Sequence, residues 1–520
     1  MPIDSHDPDR RRLLLAGAAS VLPTAASAAQ TDREARLAAR LPRWRERLVE
    51  LTASEAVFLM RSEALDAERY AAALLERAAR LRRLNALTNQ DAAQVLKDAR
   101  EADRRRARHG PRRLGALHGL PVLLKDNIDT RQLPTTAATP GLRDNRPQHD
   151  APVAAALFRA GALLFAKATM HELAFGITSN NPTFGAVHNP YDVTKIPGGS
   201  SGGTGAAIAA RIVPAGLGTD TGGSVRIPGA LCGVFGFRPT TGRYPAADIV
   251  PISHTRDTAG PLARSVEDLV LFDGVITGAA TELPAAVLRG LRLGVPRRYF
   301  YENLDPEVDA IMRRTLDALA AAGVDLIEME VPEVGPLDAA SGFPIALYEA
   351  LRDLPNYLAD HGGRVTLAQL AAQMASPDVK GLFALLLSGQ PPTIPDAVYL
   401  DAVNVQRFRL QAAYRQAFRE HDIEAIVFPT TPLPARPVGQ DATVELNGRQ
   451  VPTFDTYIRN TDPGSVPGIP GLQMPAGLTR DRLPVGIELD GPAYSDRRLL
   501  AIGLAVQDVL PTLPAPVVRP

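Results

Sequence analysis

Between about Thr31 and His109 apolar residues recur at helical spacing, and the stretch AERYAAALLERAARLRRL places Ala71, Leu74, Leu75 and Ala78 on one face. This predicts amphipathic scaffold helices. From Gly119 to Pro261 the texture changes to short apolar runs broken by Gly, Pro, Asn and Thr, the pattern of buried strands joined by functional loops. GLPVLLK predicts a strand ending at Lys125, GALLFAK one ending at Lys167, and a helix is expected after Ser201. Further on, the periodicity predicts helices over Ser265–Ile276 and Asp305–Ala322, the latter leading into the strand-like VDLIEMEV. Ala425–Pro429 and Pro484–Leu489 have the form of short buried strands, and Arg497–Val509 of a final helix. Alternation of this kind predicts an α/β fold without internal repeats.

Composition narrows the function classes. Hydrophobic residues make up 45% and charged residues 22%, enough for a large core. Lys plus Arg equals Asp plus Glu at 57 each, so no net field exists to hold a nucleic acid or an anionic membrane surface. The arginines at 104, 105, 106, 108, 112 and 113 lack interleaved aromatics and are expected to be a solvated helix end. At the N-terminus, Arg10, Arg11 and Arg12 precede an apolar run from Leu13 to Val21 and the small-residue pattern Ala26-Ser27-Ala28. Residues 1–28 are therefore expected to be an export signal of the twin-arginine type, giving a periplasmic or exported protein; without it the chain would be cytoplasmic. The run is too short to span a bilayer, which needs about 20 residues. Cys232 is the single cysteine and sits in an apolar, Gly-rich segment, which reads as core.

Candidate chemistry concentrates in PGGSSGGTGAAIAARIVPAGLGTDTGGSVRIPG, from Pro197 to Gly229. A Walker-type phosphate cradle needs a Lys after its glycines, and none follows. Gly198, Ser200 and Gly202 match GxSxG, which would make Ser200 the nucleophile of an α/β-hydrolase-like esterase. That elbow requires a strand before it, whereas the preceding NPYDVTKIP is polar and proline-broken, with only His254, His361 and His421 downstream as bases. In a third reading Ser224 is the nucleophile, and the run Thr221, Gly222, Gly223 turns successive backbone N–H groups toward one point as an oxyanion hole. The plain alternative is a tight turn. A serine needs a base, and Lys125, at the end of an apolar strand, could be neutral through desolvation, although strand-terminal lysines are more often solvated. His171 and Glu172 begin a near-match to HExxH with no second histidine, so no metal site is expected.

Gly198–Gly229, with Asp220, Ser224, Arg226 and Pro228, resembles position by position the signature of the amidase signature family, and GLPVLLKDN around Lys125 resembles its lysine motif. The resemblance covers roughly Leu51 to Leu510. It implies a single α/β/α domain over residues 29–520 built around a twisted mixed sheet, with a catalytic core at about 115–275 and a variable pocket segment at about 337–462. It further implies a triad of Lys125 as base, Ser200 on a cis peptide bond as proton bridge and Ser224 as nucleophile, with Asp220 and Arg226 as a supporting ion pair and Ser201 as a loop residue. KATMHELAFGITSNNPTFGAVHNPYD and VPISHTRDTAGPLARS look most similar to the mandelamide and indoleacetamide hydrolases within the family, which implies a primary aryl-acetamide substrate and no metal or organic cofactor. The alternative within the family is the glutaminase subunit of transfer-RNA amidotransferases. The partner expected is a small-molecule amide, with a homodimer as the one protein assembly entertained.

Overall fold

Thirteen strands organise the chain in the computed structural model, which describes residues 44–361, 365–389 and 393–518. They are β1 (Leu87–Asn89), β2 (Pro121–Lys125), β3 (Leu163–Ala168), β4 (Ala215–Asp220), β5 (Phe235–Arg238), β6 (Thr258–Ala263), β7 (Arg292–Pro296) and β8 (Asp325–Met329). After these come β9 (Ala425–Pro429), the hairpin β10 (Thr443–Leu446) and β11 (Arg449–Pro452), then β12 (Gly471–Leu478) and β13 (Pro484–Asp490). Eleven of them form one mixed sheet in the order β1-β3-β2-β4-β6-β5-β12-β13-β9-β7-β8. The expected α/β architecture with a mixed central sheet is what the chain adopts. The export-signal expectation for residues 1–28 lies outside the described residues. From Arg45 onward the chain forms one compact unit.

The strands predicted from apolar runs are present within a residue or two, and several others escaped prediction, β4 and β12 among them. β4 reads AGLGTD and β12 reads GLQMPAGL, so neither alternates nor is rich in β-branched residues. Both lie inside the sheet, and every residue of β4 is buried. Close packing favours their small residues: a Cβ on Gly216 would sit 2.6 Å from the Leu123 carbonyl oxygen of β2. The helix expected at Ser265–Ile276 spans Val266–Thr277, with Ser265 capping it by accepting from Asp268 N–H. Asp268 in turn accepts from the N–H groups of Ala53 and Ser54, tying the start of the scaffold helix Ala53–Arg61 to this one. Among the arginines expected to be solvated, Arg106 is an exception. It is 9% exposed and donates to the carbonyls of Met60 and Leu65, so it staples two scaffold segments together.

β2, β3 and β4 run parallel side by side, with Leu124 beside Lys167 on one flank and Leu217 on the other. Their C-terminal ends therefore open at one edge, the place where open α/β sheets bind ligands. Over this edge lies a wall that draws on residues 334–361 and 365–387. A core cluster joins Leu354, Tyr357, Met374, Val379 and Phe383 of this wall to Met170 and Leu173 after β3. Among the described residues no helix is long and apolar enough to cross a membrane.

Candidate active site

Lys125, the last residue of β2, has no exposed surface and points its amine into a nest of hydroxyls. Its Nζ lies 2.7 Å from Ser200 Oγ and 2.7 Å from Thr219 Oγ1, and Asn127 Nδ2 donates to the same Thr219 hydroxyl at 3.1 Å. Burial disfavours the ammonium ion and brings the Lys125 pKa down to about 7, against the opposing pull of the Asp220 and Asp257 carboxylates. A neutral amine at that distance is within hydrogen-bond reach of the Ser200 hydroxyl. The Gly199–Ser200 peptide bond is cis. Ser200 is held from behind by its carbonyl, which accepts from His171 N–H at 3.1 Å.

The second serine arrives on the turn after β4. Ser201 N–H donates to the Ser224 carbonyl at 3.3 Å, so the two serine-bearing loops are joined directly. Gly223 has a φ of +145°, and a Cβ there would lie 2.1 Å from Thr461 Oγ1, so both the backbone and the space demand glycine. Thr221 Oγ1 donates to Asp257 at 2.5 Å. Beneath the turn, Asp220 accepts from Val225 N–H and Arg226 Nε, both at 3.1 Å, and from Arg226 Nη2 at 3.0 Å. Arg238 joins the same carboxylate at 3.0 Å, and Arg226 continues to Glu488 at 2.5 Å and to the Ser465 hydroxyl at 2.6 Å. Burial by itself would raise the Asp220 carboxyl, but the two guanidiniums hold it below the usual carboxylate range. The expected Asp220–Arg226 ion pair is thus part of a larger buried network.

Thr221, Gly222 and Ser224 open onto a cavity of about 240 Å³ whose other walls are mainly apolar, including Phe175, Ile252, Phe343, Leu382 and Phe454. The rings of Phe343 and Phe454 lie 5.6 Å apart. The Ser200-elbow reading fails on geometry: no strand precedes Ser200, and its Oγ meets a lysine where that reading needs a histidine.

The amidase family profile matches residues 69–500. The chain belongs to the amidase signature family. It is 47% identical to an indoleacetamide hydrolase from Agrobacterium vitis over 437 residues, 84% of this chain and 92% of that protein. It is 40% identical to a mandelamide hydrolase from Pseudomonas putida over 489 residues, 91% of this chain and 94% of that protein. Among solved structures it resembles the peptide amidase from Stenotrophomonas maltophilia with a TM-score of 0.77 at 28% identity, covering 91% of this chain and 99% of that one.

In this amidase the residues singled out from sequence converge on one edge of the sheet, and several partners join them that sequence reasoning passed over. Thr219 and Asn127 flank the lysine, and Arg238, Glu488 and Ser465 complete the network under the turn. Asn127 stands two residues after Lys125 inside the quoted motif, a signal that was available. The others come from distant strands and helices. His171 and Glu172 clamp the cavity wall: His171 Nε2 lies 3.0 Å from Asp378, and Glu172 accepts from the N–H groups of Ala375 and Ser376 at 3.1 and 2.6 Å. Cys232 is buried, forms no disulfide and donates its thiol to the Pro197 carbonyl at 3.2 Å, as expected of a core residue.

Proposed function

We propose that this amidase hydrolyses primary aryl-acetamides through an acyl-enzyme on Ser224. The observation that carries the reading is the buried Lys125 amine, 2.7 Å from Ser200 Oγ and depressed to about 7, beside a turn that delivers Ser224 to an aromatic-lined cavity. Neutral Lys125 takes the proton of Ser200 as Ser200 takes that of Ser224, and the Ser224 oxygen forms a bond to the amide carbon. The backbone N–H groups of Thr221, Gly222 and Gly223 stabilise the carbonyl oxygen as it becomes anionic, a contribution of roughly 3 to 4 kcal/mol per donor in other hydrolases. The proton returns along the same path to the amide nitrogen, the C–N bond breaks and ammonia leaves. Water then attacks the ester, giving the carboxylate and restoring the three side chains.

The names of the two relatives, indoleacetamide and mandelamide hydrolases, support an aryl group one carbon from the amide. The cavity chemistry agrees. Phe175, Phe343 and Phe454 offer ring faces and edges to an aromatic acyl group. The test is ammonia release from indole-3-acetamide, mandelamide, phenylacetamide and acetamide, with Ser224→Ala in parallel. Aryl-acetamides should turn over far faster than acetamide, and the variant should lose at least about 10³-fold in kcat. Wild-type turnover by Ser224→Ala would overturn the mechanism, and a preference for acetamide would overturn the substrate class.

A further inference from the structure

Four successive carbonyls at the turn after β4 are each held by a hydrogen-bond donor. The Asp220 carbonyl accepts from Arg238 Nη1 at 2.5 Å, that of Thr221 from Arg256 Nη2 at 3.2 Å, that of Gly222 from Thr461 Oγ1 at 2.6 Å and that of Gly223 from Ile227 N–H at 2.7 Å. In a planar trans peptide the C=O of one residue and the N–H of the next point in opposite directions, so a bond that fixes the carbonyl also aims the following N–H. The N–H groups aimed in this way are those of Thr221, Gly222, Gly223 and Ser224. Among the described residues these four have no protein acceptor, although Thr221, Gly222 and Ser224 line the cavity. Unpaired donors beside a nucleophile are what a developing oxyanion requires.

We propose that Arg256 and Thr461 are positioning residues for the reaction, gripping the carbonyl side of this turn so that the Gly222 and Gly223 N–H groups face the oxyanion. The inference rests on Ser224 being the nucleophile. Arg256 is 2% exposed and does more than one job: it also donates to the Gly342 carbonyl in the cavity wall and pairs with Asp462. The Asp462 carboxylate stands so close to the turn that a Cβ on Gly222 would meet its Oδ1 at 2.5 Å. Left uncompensated, that charge would oppose an oxyanion; paired with Arg256 it is offset. Thr461 lies 239 positions along the chain from Gly222, which is why no local motif announces it.

The test compares Thr461→Val, Thr461→Ser and Arg256→Lys with wild type, using phenylacetamide as substrate. Thr461→Val and Arg256→Lys should each lower kcat by about tenfold or more, ~1.4 kcal/mol at the barrier, with KM within about twofold. Phenylacetaldehyde, which adds the Ser224 hydroxyl across its C=O to form a hemiacetal in the oxyanion position, should bind more weakly by a similar factor. Phenylacetate, which forms no such adduct, should bind unchanged. Thr461→Ser keeps the hydroxyl and should restore most of the rate. The proposal is overturned if Thr461→Val and Arg256→Lys keep wild-type kcat, if Thr461→Ser loses as much as Thr461→Val, or if KM and phenylacetate binding change in place of kcat and aldehyde binding. Should Thr461→Val fail to fold, Arg256→Lys makes the same comparison with the same overturning results. Ser224→Ala separates the two levels: turnover in that variant brings down the nucleophile assignment, whereas a dead Ser224→Ala beside fully active Thr461→Val and Arg256→Lys brings down the positioning role alone.

Discussion

Lys125 illustrates how one side chain acquires a property its free form lacks. An exposed lysine titrates near 10.4 and is a poor base at neutral pH; here complete burial lowers the pKa to about 7 while the hydroxyls of Ser200 and Thr219, the latter also accepting from Asn127, keep the site polar. With neutral Lys125 as the proposed base, kcat/KM should rise with pH through about 7 and level off above it. Substitution by arginine, which stays charged, should abolish activity at every pH. The same shift has a stability signature. Between pH 10.5 and 7 the unfolded chain holds a proton on this amine that the folded chain does not, so folded stability falls as pH drops through that window. Lys125→Met lacks this penalty, and its melting temperature relative to wild type should climb as pH is lowered from about 10 to about 7, then stay level. A constant difference across that range, measured by thermal unfolding, would show that the amine is not depressed in the folded protein.

At the scale of elements, the turn between β4 and the Arg226–Cys232 helix depends on what lies under it. Asp220 closes β4 and is shared by Arg226 and Arg238, all three with no exposed surface. Removing the charge of Asp220 leaves two buried guanidiniums without their common partner, which costs about 3 to 5 kcal/mol in comparable pairs. Asp220→Asn should therefore lower the melting temperature sharply at pH 7 and take activity with it. Since the folded pKa of Asp220 lies below the unfolded value near 3.9, its contribution is present above about pH 4 and fades as pH falls further. The gap between wild type and variant should narrow below pH 4, and a gap that widens there would contradict the assignment.

Over the whole molecule, much of the cavity wall comes from a later stretch of chain than the edge that carries Lys125, Ser200 and Ser224, while Phe175 and Ile252 reach it from the earlier one. Lys125, Ser200 and Ser224 lie within 100 residues, whereas Phe343, Leu382, Phe454 and Asp462 reach the cavity from the later segment. The wall is fastened to the edge by His171 and Glu172, next to the loop whose backbone holds Ser200. This division predicts separable effects. Phe454→Ala removes one ring of the Phe343–Phe454 pair and should raise KM for aryl-acetamides about tenfold while leaving acetamide hydrolysis nearly unchanged. Equal losses on both substrates would assign Phe454 to the scaffold instead of to recognition.

Sequence alone was enough for the reaction class through the resemblance of Gly198–Gly229 and of the lysine motif to the amidase signature, and over the same short spans it indicated local backbone: Lys125 ends an apolar strand, Ser200 precedes a helix, and Gly222 and Gly223 permit a turn barred to other residues. It also determined most strands whose apolar runs are continuous. What it left undecided were several strands, among them the Gly-rich β4 and β12, which are strands because neighbouring strands pair with them on both sides, and the partners of each site residue. Thr219 beside Lys125, Arg238 beside Asp220, Arg256 and Thr461 behind the turn are contacts across as many as 239 positions, and such pairings arise only when the sheet order β3-β2-β4-β6-β5-β12 closes the chain on itself. The pKa of Lys125 belongs to the same class. Its direction follows from an apolar strand, but its size is set by how completely tertiary packing excludes water from one amine.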